Sequence, residues 1–514
     1  MVWKIAGLTL YLTLFLVWAN RGLDLSAKRR PNVLFIVVDD LRPEIGAFGN
    51  PIVKTPNLDR LAEQSVIFER AYVQQPTCHS SRASFMTGIR PTAMCQGATA
   101  PGFGLLRKIR PNVMTLPQIL KDGGYTSVGM GKIFHSNEND GRSWSKPFAY
   151  YEGGLYCGEE NKEIVKKKYQ RLIKEGRQAS WVVGRLTEKE TSEDNCHRDG
   201  RLTQSAIKEL RKLSGKNKAP FFLAVGLSAP HLPFTAPRKY WDMYSEKTFT
   251  ISPELWVSSG FPRYLRENMS EFRNYDDFPK FKRPGVGLSR KLIHGYYAAV
   301  SFVDAQIGIL LDEVDRLGIS ENTIIVVLGD HGLKLGEHKS WGKHTHSEWD
   351  TRAPLMISVP DNHANGRSSE SVVEFVDILP TIVELVGMKP PPNINGVSLT
   401  PLLEDPRQES KGYALTSFPI GHFTGTWMMG YSLRDGRYRY SEYYGRGEKQ
   451  RVVRELYDHT VDPWELKNIY RQTPKALRAQ LSFKLAKGFQ LDAKGRSSLT
   501  EDKCHQFKSD HHHH

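Results

Sequence analysis

Asn32-Val33-Leu34-Phe35-Ile36-Val37-Val38 carries no charge and runs straight into Asp39-Asp40. A continuous apolar run of this length is the pattern of a strand buried on both faces of a parallel sheet. The same pattern repeats outward from it. Thr55-Pro56 opens a helix with Leu58, Leu61, Ala62 and Ser65 on one face, Thr suiting the N-cap and Pro the first helical position. Thr115-Leu116-Pro117 opens another, closed by Gly123-Gly124 and followed by a strand from Tyr125 to Met130. Phe221 to Leu227, Thr323 to Leu328 and Leu355 to Val359 read as further buried strands, and Lys291 to Leu317 as one long helix. This alternation predicts an α/β fold with a mostly parallel central sheet flanked by helices. It fades after the Pro-rich Lys389 to Pro392. From about Gly412, alternating Tyr and Arg predict short antiparallel strands, and Lys475 to Phe489 a helix. The expectation is a main domain over 24–404 with a smaller α+β subdomain over 405–510. With no repeat or long low-complexity linker, the two should pack tightly.

The 514-residue chain is 39% apolar and 25% charged, which describes a globular protein and excludes disordered and fibrous classes. Its formal charge of +15, from 71 basic and 56 acidic side chains, favours a polyanionic partner. Zinc-finger spacing is missing, as is any basic run interleaved with aromatics, so acidic polysaccharide is favoured over nucleic acid. Lys4, the apolar run Ile5 to Trp18 and the polar return at Ala19-Asn20-Arg21 read as a signal peptide over 1–23. The alternative is an uncleaved anchor, although the run is short for a bilayer. No later segment suggests membrane insertion, and the mature chain is expected to be secreted or lysosomal. In that compartment Cys157 and Cys196, in a polar stretch, suit a disulfide, whereas Cys95 and Cys504 could pair or stay free. Asn268-Met269-Ser270 is an N-glycosylation sequon. The terminal His run, tag or native, is left out of fold reasoning.

In open α/β sheets ligands bind beyond the carboxyl ends of the strands. Two predicted strands end in acidic tips, Asp39-Asp40 and Asp330-His331. Either tip alone reads equally well as a turn or a helix cap. Facing one crevice, they would bring together three carboxylates and an imidazole, a set that selects a hard cation such as calcium or magnesium. A third element is Pro76-Thr77-Cys78-His79-Ser80-Ser81-Arg82-Ala83-Ser84-Phe85-Met86-Thr87-Gly88. A helix beginning near Cys78 puts Arg82 four residues on, on the same face. A cysteine at a helix N-terminus beside an arginine sits in a positive field suited to anions.

This segment resembles the signature of the sulfatases, in which Cys, two residues, a small residue and Arg precede an apolar pair and Thr-Gly. The signature usually has Pro, less often Ala or Ser, two residues after the cysteine and a small residue directly after it; here Ser80 and His79 stand there. The resemblance covers nearly the whole mature chain and is strongest to sulfatases of the iduronate-2-sulfatase type. It is carried by Val38-Asp39-Asp40-Leu41-Arg42-Pro43, Gly131-Lys132-Ile133-Phe134-His135, Pro230-His231-Leu232-Pro233-Phe234, Asp330-His331-Gly332 and Trp341-Gly342-Lys343. Met429-Gly430-Tyr431-Ser432 and Glu455-Leu456-Tyr457-Asp458 continue it in the smaller part.

The resemblance implies an alkaline-phosphatase-like sulfatase fold and a single calcium ion held by Asp39, Asp40, Asp330 and His331. Cys78, converted to formylglycine by the formylglycine-generating enzyme, would complete the sphere. It further implies that the formylglycine hydrate attacks sulfur, that Arg82 holds that hydrate, and that Lys132, His135, His231 and Lys343 surround the sulfate of a sulfated saccharide. His231 is the first choice for protonating the leaving oxygen. His338, His344 and His346 are expected behind the site or at the surface. Two other readings stand beside this one. A related phosphatase or phosphodiesterase would use Ser or Thr as nucleophile and often two transition metals. A secreted matrix or polysaccharide-binding protein without catalysis would not need this whole charged set.

Overall fold

The computed structural model describes residues 30–91, 106–107, 110–135, 139–177, 182–215, 218–249, 269–420, 428–445 and 452–492. The proposed signal peptide, Cys95, Cys504, Asn268 of the sequon and the terminal His run lie outside the described residues.

The run quoted at the outset is strand β1, Asn32–Val38, and every residue of it is buried. It lies near the middle of a seven-stranded sheet with β2 (Val66–Tyr72), β3 (Thr126–Gly131), β4 (Phe221–Leu227), β5 (Thr323–Gly329), β6 (Leu355–Ser358) and β7 (Ser368–Glu374). The spatial order is β7-β2-β6-β5-β1-β4-β3. β1 pairs in parallel with β4 and β5, β3 with β4, and β7 with β2; β6 alone runs antiparallel to its neighbours.

Alternate residues of β1 enter two separate cores. Leu34, Ile36 and Val38 pack with helices α1 (Pro56–Ala62), α4 (Arg198–Leu213) and α5 (Val286–Arg316). Val33, Phe35 and Val37 pack with α2 (Cys78–Thr87), α3 (Leu116–Asp122) and α6 (Ile378–Leu385). A strand with helices on both faces has no polar side to show, which explains its unbroken apolar sequence. α3 is capped as expected, the Thr115 side chain accepting from Gln118 N–H. At α1 the expected cap is replaced. Thr55 Oγ1 instead accepts from Gly46 N–H, and the free N–H groups of Asn57 and Leu58 donate to Asp304 of α5.

Beyond these layers, β8 (Tyr413–Ile420), β9 (Met428–Asp435), β10 (Tyr438–Gly445) and β11 (Val452–Asp458) form an antiparallel sheet in sequential order, with helix α7 (Lys475–Phe489) on one face. β8 is the strand nearest the main sheet. Ser417 N–H donates to Gln74 O at 2.9 Å and Leu415 N–H to Glu374 Oε1 at 3.0 Å. Lys411 Nζ reaches Asp377 Oδ1 at 2.6 Å. Backbone hydrogen bonds and an ion pair thus join this sheet to the main one. Cys157 and Cys196 form the expected disulfide.

Candidate functional site

β1 and β5 lie in register, Val38 opposite Gly329, so Asp39 and Asp330 leave the sheet side by side. The ladder runs one residue further on each: Asp39 N–H donates to Leu227 O and Asp330 N–H to Val38 O, both at 3.1 Å. Asp40 then turns out of the strand with φ 58°, a left-handed conformation that Asp tolerates better than most residues. Its N–H donates to Asp330 Oδ1 at 2.9 Å, tying the two acidic tips together. α2 begins at Cys78 and brings Arg82 round one turn later. Ser81 Oγ donates to the Asp330 carbonyl and fixes α2 against β5. On the other side Lys132 N–H donates to Gly226 O at 2.8 Å. A Cβ at Gly226 would stand 2.0 Å from Lys132 O, so only glycine lets the two backbones cross there.

The side chains converge. Arg82 is fully buried; its Nε donates to Asp330 Oδ2 at 2.9 Å, its Nη2 to Asp39 Oδ1 at 3.2 Å, and its Nη1 to the Lys132 carbonyl. Lys132 Nζ pairs with Asp39 Oδ2. Lys343 Nζ lies 2.7 Å from Asp40 Oδ1 and 3.5 Å from Cys78 Sγ, and His331 Nε2 lies 3.2 Å from the same sulfur. His231 Nε2 stands 3.9 Å from Asp40 Oδ2. His135 sits at the margin, its ring centroid 5.7 Å from that of His79.

Each predicted site residue thus falls in or beside one cluster, which also contains Glu271, a residue sequence reasoning missed. Its Oε1 is 2.9 Å from His231 Nε2 and its Oε2 3.5 Å from Lys343 Nζ. Of the two placements expected for His338, His344 and His346, behind the site or at the surface, the surface one is excluded. His338 and His346 are buried, and the half-buried His344 ring stacks on Phe418 at 5.7 Å.

Burial disfavours charge, yet at Asp39 and His231 the opposed charges outweigh it, while at His135 and Cys78 burial prevails. Despite desolvation, Lys132, His231, Arg82 and Lys343 hold the Asp39 carboxyl well below the usual range. His231 resists its own burial because Asp40 and Asp39 raise it to about 10. Burial, then the Lys132 ammonium, drive His135 down to about 2, leaving it a neutral ring. Burial and the Asp39 charge push the Cys78 thiol up, so the unmodified side chain is held as a thiol.

The donor set fits a hard cation. One ligand atom each from Asp39, Cys78, Asp330 and His331 lie within 4.8 Å of one another, as do those of Asp40, Cys78 and His231. Asp40 Oδ2 is buried and accepts no hydrogen bond among the described residues. A buried carboxylate oxygen without a donor is costly unless a cation takes it. A second cluster, Glu348, His459 and Glu465, also lies within that distance, but Arg434 and Arg439 already balance its carboxylates.

The chain matches the family described as Sulfatase over residues 31–388, and N-sulphoglucosamine sulphohydrolase, C-terminal, over residues 336–490. Iduronate 2-sulfatase of Mus musculus is 30% identical, over 87% of this chain and 92% of its own length. A structure solved in complex with its substrate D-glucosamine-2-N,6-O-disulfate superposes with a TM-score of 0.69 at 22% identity, covering 91% of this chain and 99% of that one. A phosphonate monoester hydrolase from Silicibacter pomeroyi has a TM-score of 0.71 at 22% identity, over 92% of this chain and 100% of its own. At that identity both structures speak for the fold alone.

Proposed function

The chain belongs to the sulfatase family and is a sulfuric ester hydrolase; from this premise we propose that it cleaves sulfate esters of a sulfated saccharide, glycosaminoglycan-like, using formylglycine made from Cys78 and one calcium ion. The observation that carries the reading is the position of Cys78 Sγ, within 3.2 Å of His331 and 3.5 Å of Lys343, at the junction of both acidic strand tips. Asp39, Asp40, Asp330 and His331 would hold the cation together with the modified residue 78. The cation supplies charge neutralisation for the sulfuryl oxygens, and the formylglycine supplies the attacking oxygen.

The chain's own residues do the rest. Arg82 fixes Asp39 and Asp330 with its fork and presents a positive charge to the oxygen at position 78. Lys132 and Lys343 bind the sulfate oxygens, exchanging their carboxylate partners in part for substrate. His231 holds a proton at Nε2 for the departing alcohol. The neutral His135 closes the margin as a hydrogen-bonding wall. The excess of basic side chains supports a polyanionic saccharide, and the disulfide supports a secreted or lysosomal compartment.

The deciding experiment is the mass of the Cys78 peptide from secreted protein. Conversion of CH₂–SH to an aldehyde lowers it by about 18 Da. An unmodified thiol throughout would overturn the catalytic reading in favour of a binding protein. Hydrolysis of aryl phosphate in preference to aryl sulfate would replace it with the phosphatase reading.

A further inference from the structure

β11 is the outermost strand of the C-terminal sheet, about 14 Å across the ladder from β8, the strand that meets the main sheet. One half of its free edge is covered by the chain that follows it. Ile469 N–H donates to Leu456 O at 2.9 Å. The Asn468 side chain takes the Leu456 N–H at Oδ1 and donates from Nδ2 to Arg454 O, both at 3.1 Å. Beyond this staple a cavity of about 500 Å³ opens, lined by Val452 to Arg454 of the strand and by Tyr470, Arg471 and Gln472 of the loop. That volume is within the range of small-molecule sites, about 300–1,000 Å³.

The lining carries two guanidinium groups and, among the described residues, no carboxylate. Arg454 stands opposite Glu442 of β10 and donates to its Oε1 through Nε at 3.1 Å. Glu442 is 3% exposed and accepts as well from the hydroxyls of Tyr440, Tyr444 and Ser482. Arg454 is 37% exposed, and its two terminal nitrogens have no acceptor among the described residues. Arg471 is exposed and has no ion pair or side-chain hydrogen bond among them. A third guanidinium, Arg478 of α7, lies over the Tyr470 ring at 5.0 Å, and its Nε is buried without an acceptor. Three cations therefore surround one carboxylate whose oxygens are already taken. Guanidinium forks match carboxylate and sulfate oxygens, and the Gln472 amide can both donate to and accept from a hydroxyl. A ligand that offers anionic groups and hydroxyls together is a sulfated saccharide.

We propose that this cavity is a second saccharide subsite, in which Arg454 and Arg471 hold a sulfate or carboxylate of a sulfated polysaccharide apart from the ester being cleaved. The ligand class rests on the sulfated-saccharide reading of the function, whereas the cavity and its charge do not. The subsite serves a chain of several sugar units; a small aryl sulfate has no group to place there.

The test titrates a heparin octasaccharide into full-length wild type, Arg471→Glu, Arg454→Gln and, as a control for overall charge, Lys167→Glu on the exposed helix Glu159–Lys174. Folding is checked by thermal melt and the basal reaction with 4-nitrophenyl sulfate. Arg471 has no partner to lose, and Arg454→Gln leaves Glu442 its three hydroxyl donors, so melts and aryl-sulfate turnover should match wild type. Loss of a charge-assisted contact should raise the octasaccharide Kd at least about tenfold in Arg471→Glu. Arg454→Gln should weaken it in the same direction, and Lys167→Glu should weaken it much less. An unchanged Kd in Arg471→Glu, or an equal loss in Lys167→Glu, would overturn the subsite in favour of a diffuse positive surface. Inorganic sulfate binding wild type as tightly as the octasaccharide would overturn the saccharide assignment. Wild type that binds the octasaccharide at this cavity yet carries no formylglycine and cleaves no sulfate would overturn the catalytic reading and leave the subsite standing.

Discussion

Replacing Arg82 with methionine keeps most of the side-chain volume and removes the charge that Asp39 and Asp330 share. In the intact protein all three side chains are fully buried, and Arg82 donates to both carboxylates and to the Lys132 carbonyl. Removing one partner from a buried ion pair costs about 3–5 kcal/mol, because the other charge stays desolvated without compensation. Asp39 would keep Lys132, and Asp330 would keep the Asp40 N–H. The expected loss therefore sits within that range, at about 4 kcal/mol, or roughly a thousandfold in the unfolding equilibrium. The assay is urea unfolding of both proteins in a chelator, repeated with millimolar calcium. A cation bound by the same carboxylates replaces part of the missing charge, so the gap should narrow when calcium is added. Adding Asp330→Asn to the methionine variant should cost less than the two single losses combined, since one orphaned charge is gone. A methionine variant within about 1 kcal/mol of wild type in chelator would refute the buried-charge reasoning, as would a gap that widens with calcium.

Two further perturbations test other parts of the structure. Gly226→Ala should displace Lys132, because the new methyl group meets its carbonyl rather than a movable side chain; overpacking of this kind costs about 1–3 kcal/mol. Sulfate-ester turnover should fall further than thermal stability alone accounts for, and an unchanged melt and rate would refute the crossing as described. Burial, with Arg439 next, drives His346 from its usual 6.5 to about 3, so the fold keeps it neutral where the unfolded chain takes a proton. Its contribution to stability is whole above pH 6.5 and is lost as pH falls toward 3, at up to about 1.4 kcal/mol per pH unit. His346→Gln should flatten the fall of the urea midpoint between pH 7 and pH 4.5, and an unaltered slope would contradict the burial.

Burial on two faces made the centre of the main sheet legible. β1, β4 and β5 lie beneath helices on either side, so their sequences are unbroken apolar runs and their acidic ends stand out. β2 and β7 escaped notice because they lie toward one end of the sheet, where VIFERAY mixes buried with half-buried positions and SSESVVE buried with exposed ones. Thr55 and Pro56 open α1 as expected, but the acceptor for its first N–H groups, Asp304, is supplied by a helix nearly 250 residues away and left no sign in the local sequence. For His338 and His346 two placements stayed open for a related reason, since a histidine in a polar stretch looks the same in sequence whether or not the C-terminal sheet covers it. Glu271 had only one sign, the apolar Phe272 beside it in SEFRNYDDF. That sign marks an anchored segment and says nothing of what the neighbouring carboxylate touches.

Glu271 also completes a balance that the motifs alone leave open. Asp39, Asp40 and Asp330 face Arg82, Lys132, Lys343 and a protonated His231, one positive charge too many for a buried cluster without substrate. With Glu271 the formal charges cancel, which allows so many ionic groups to be buried together. On the proposed function, a dication and a singly charged sulfate ester would bring the whole to one net positive charge. The net charge does not change along the reaction, but negative charge moves onto the alcohol oxygen as its bond to sulfur breaks, so a positive group beside that oxygen would gain in the transition state what it lacks in the resting complex. Stabilisation that grows along the reaction in this way lowers the barrier, whereas charge already cancelled in the ground state would only tighten binding.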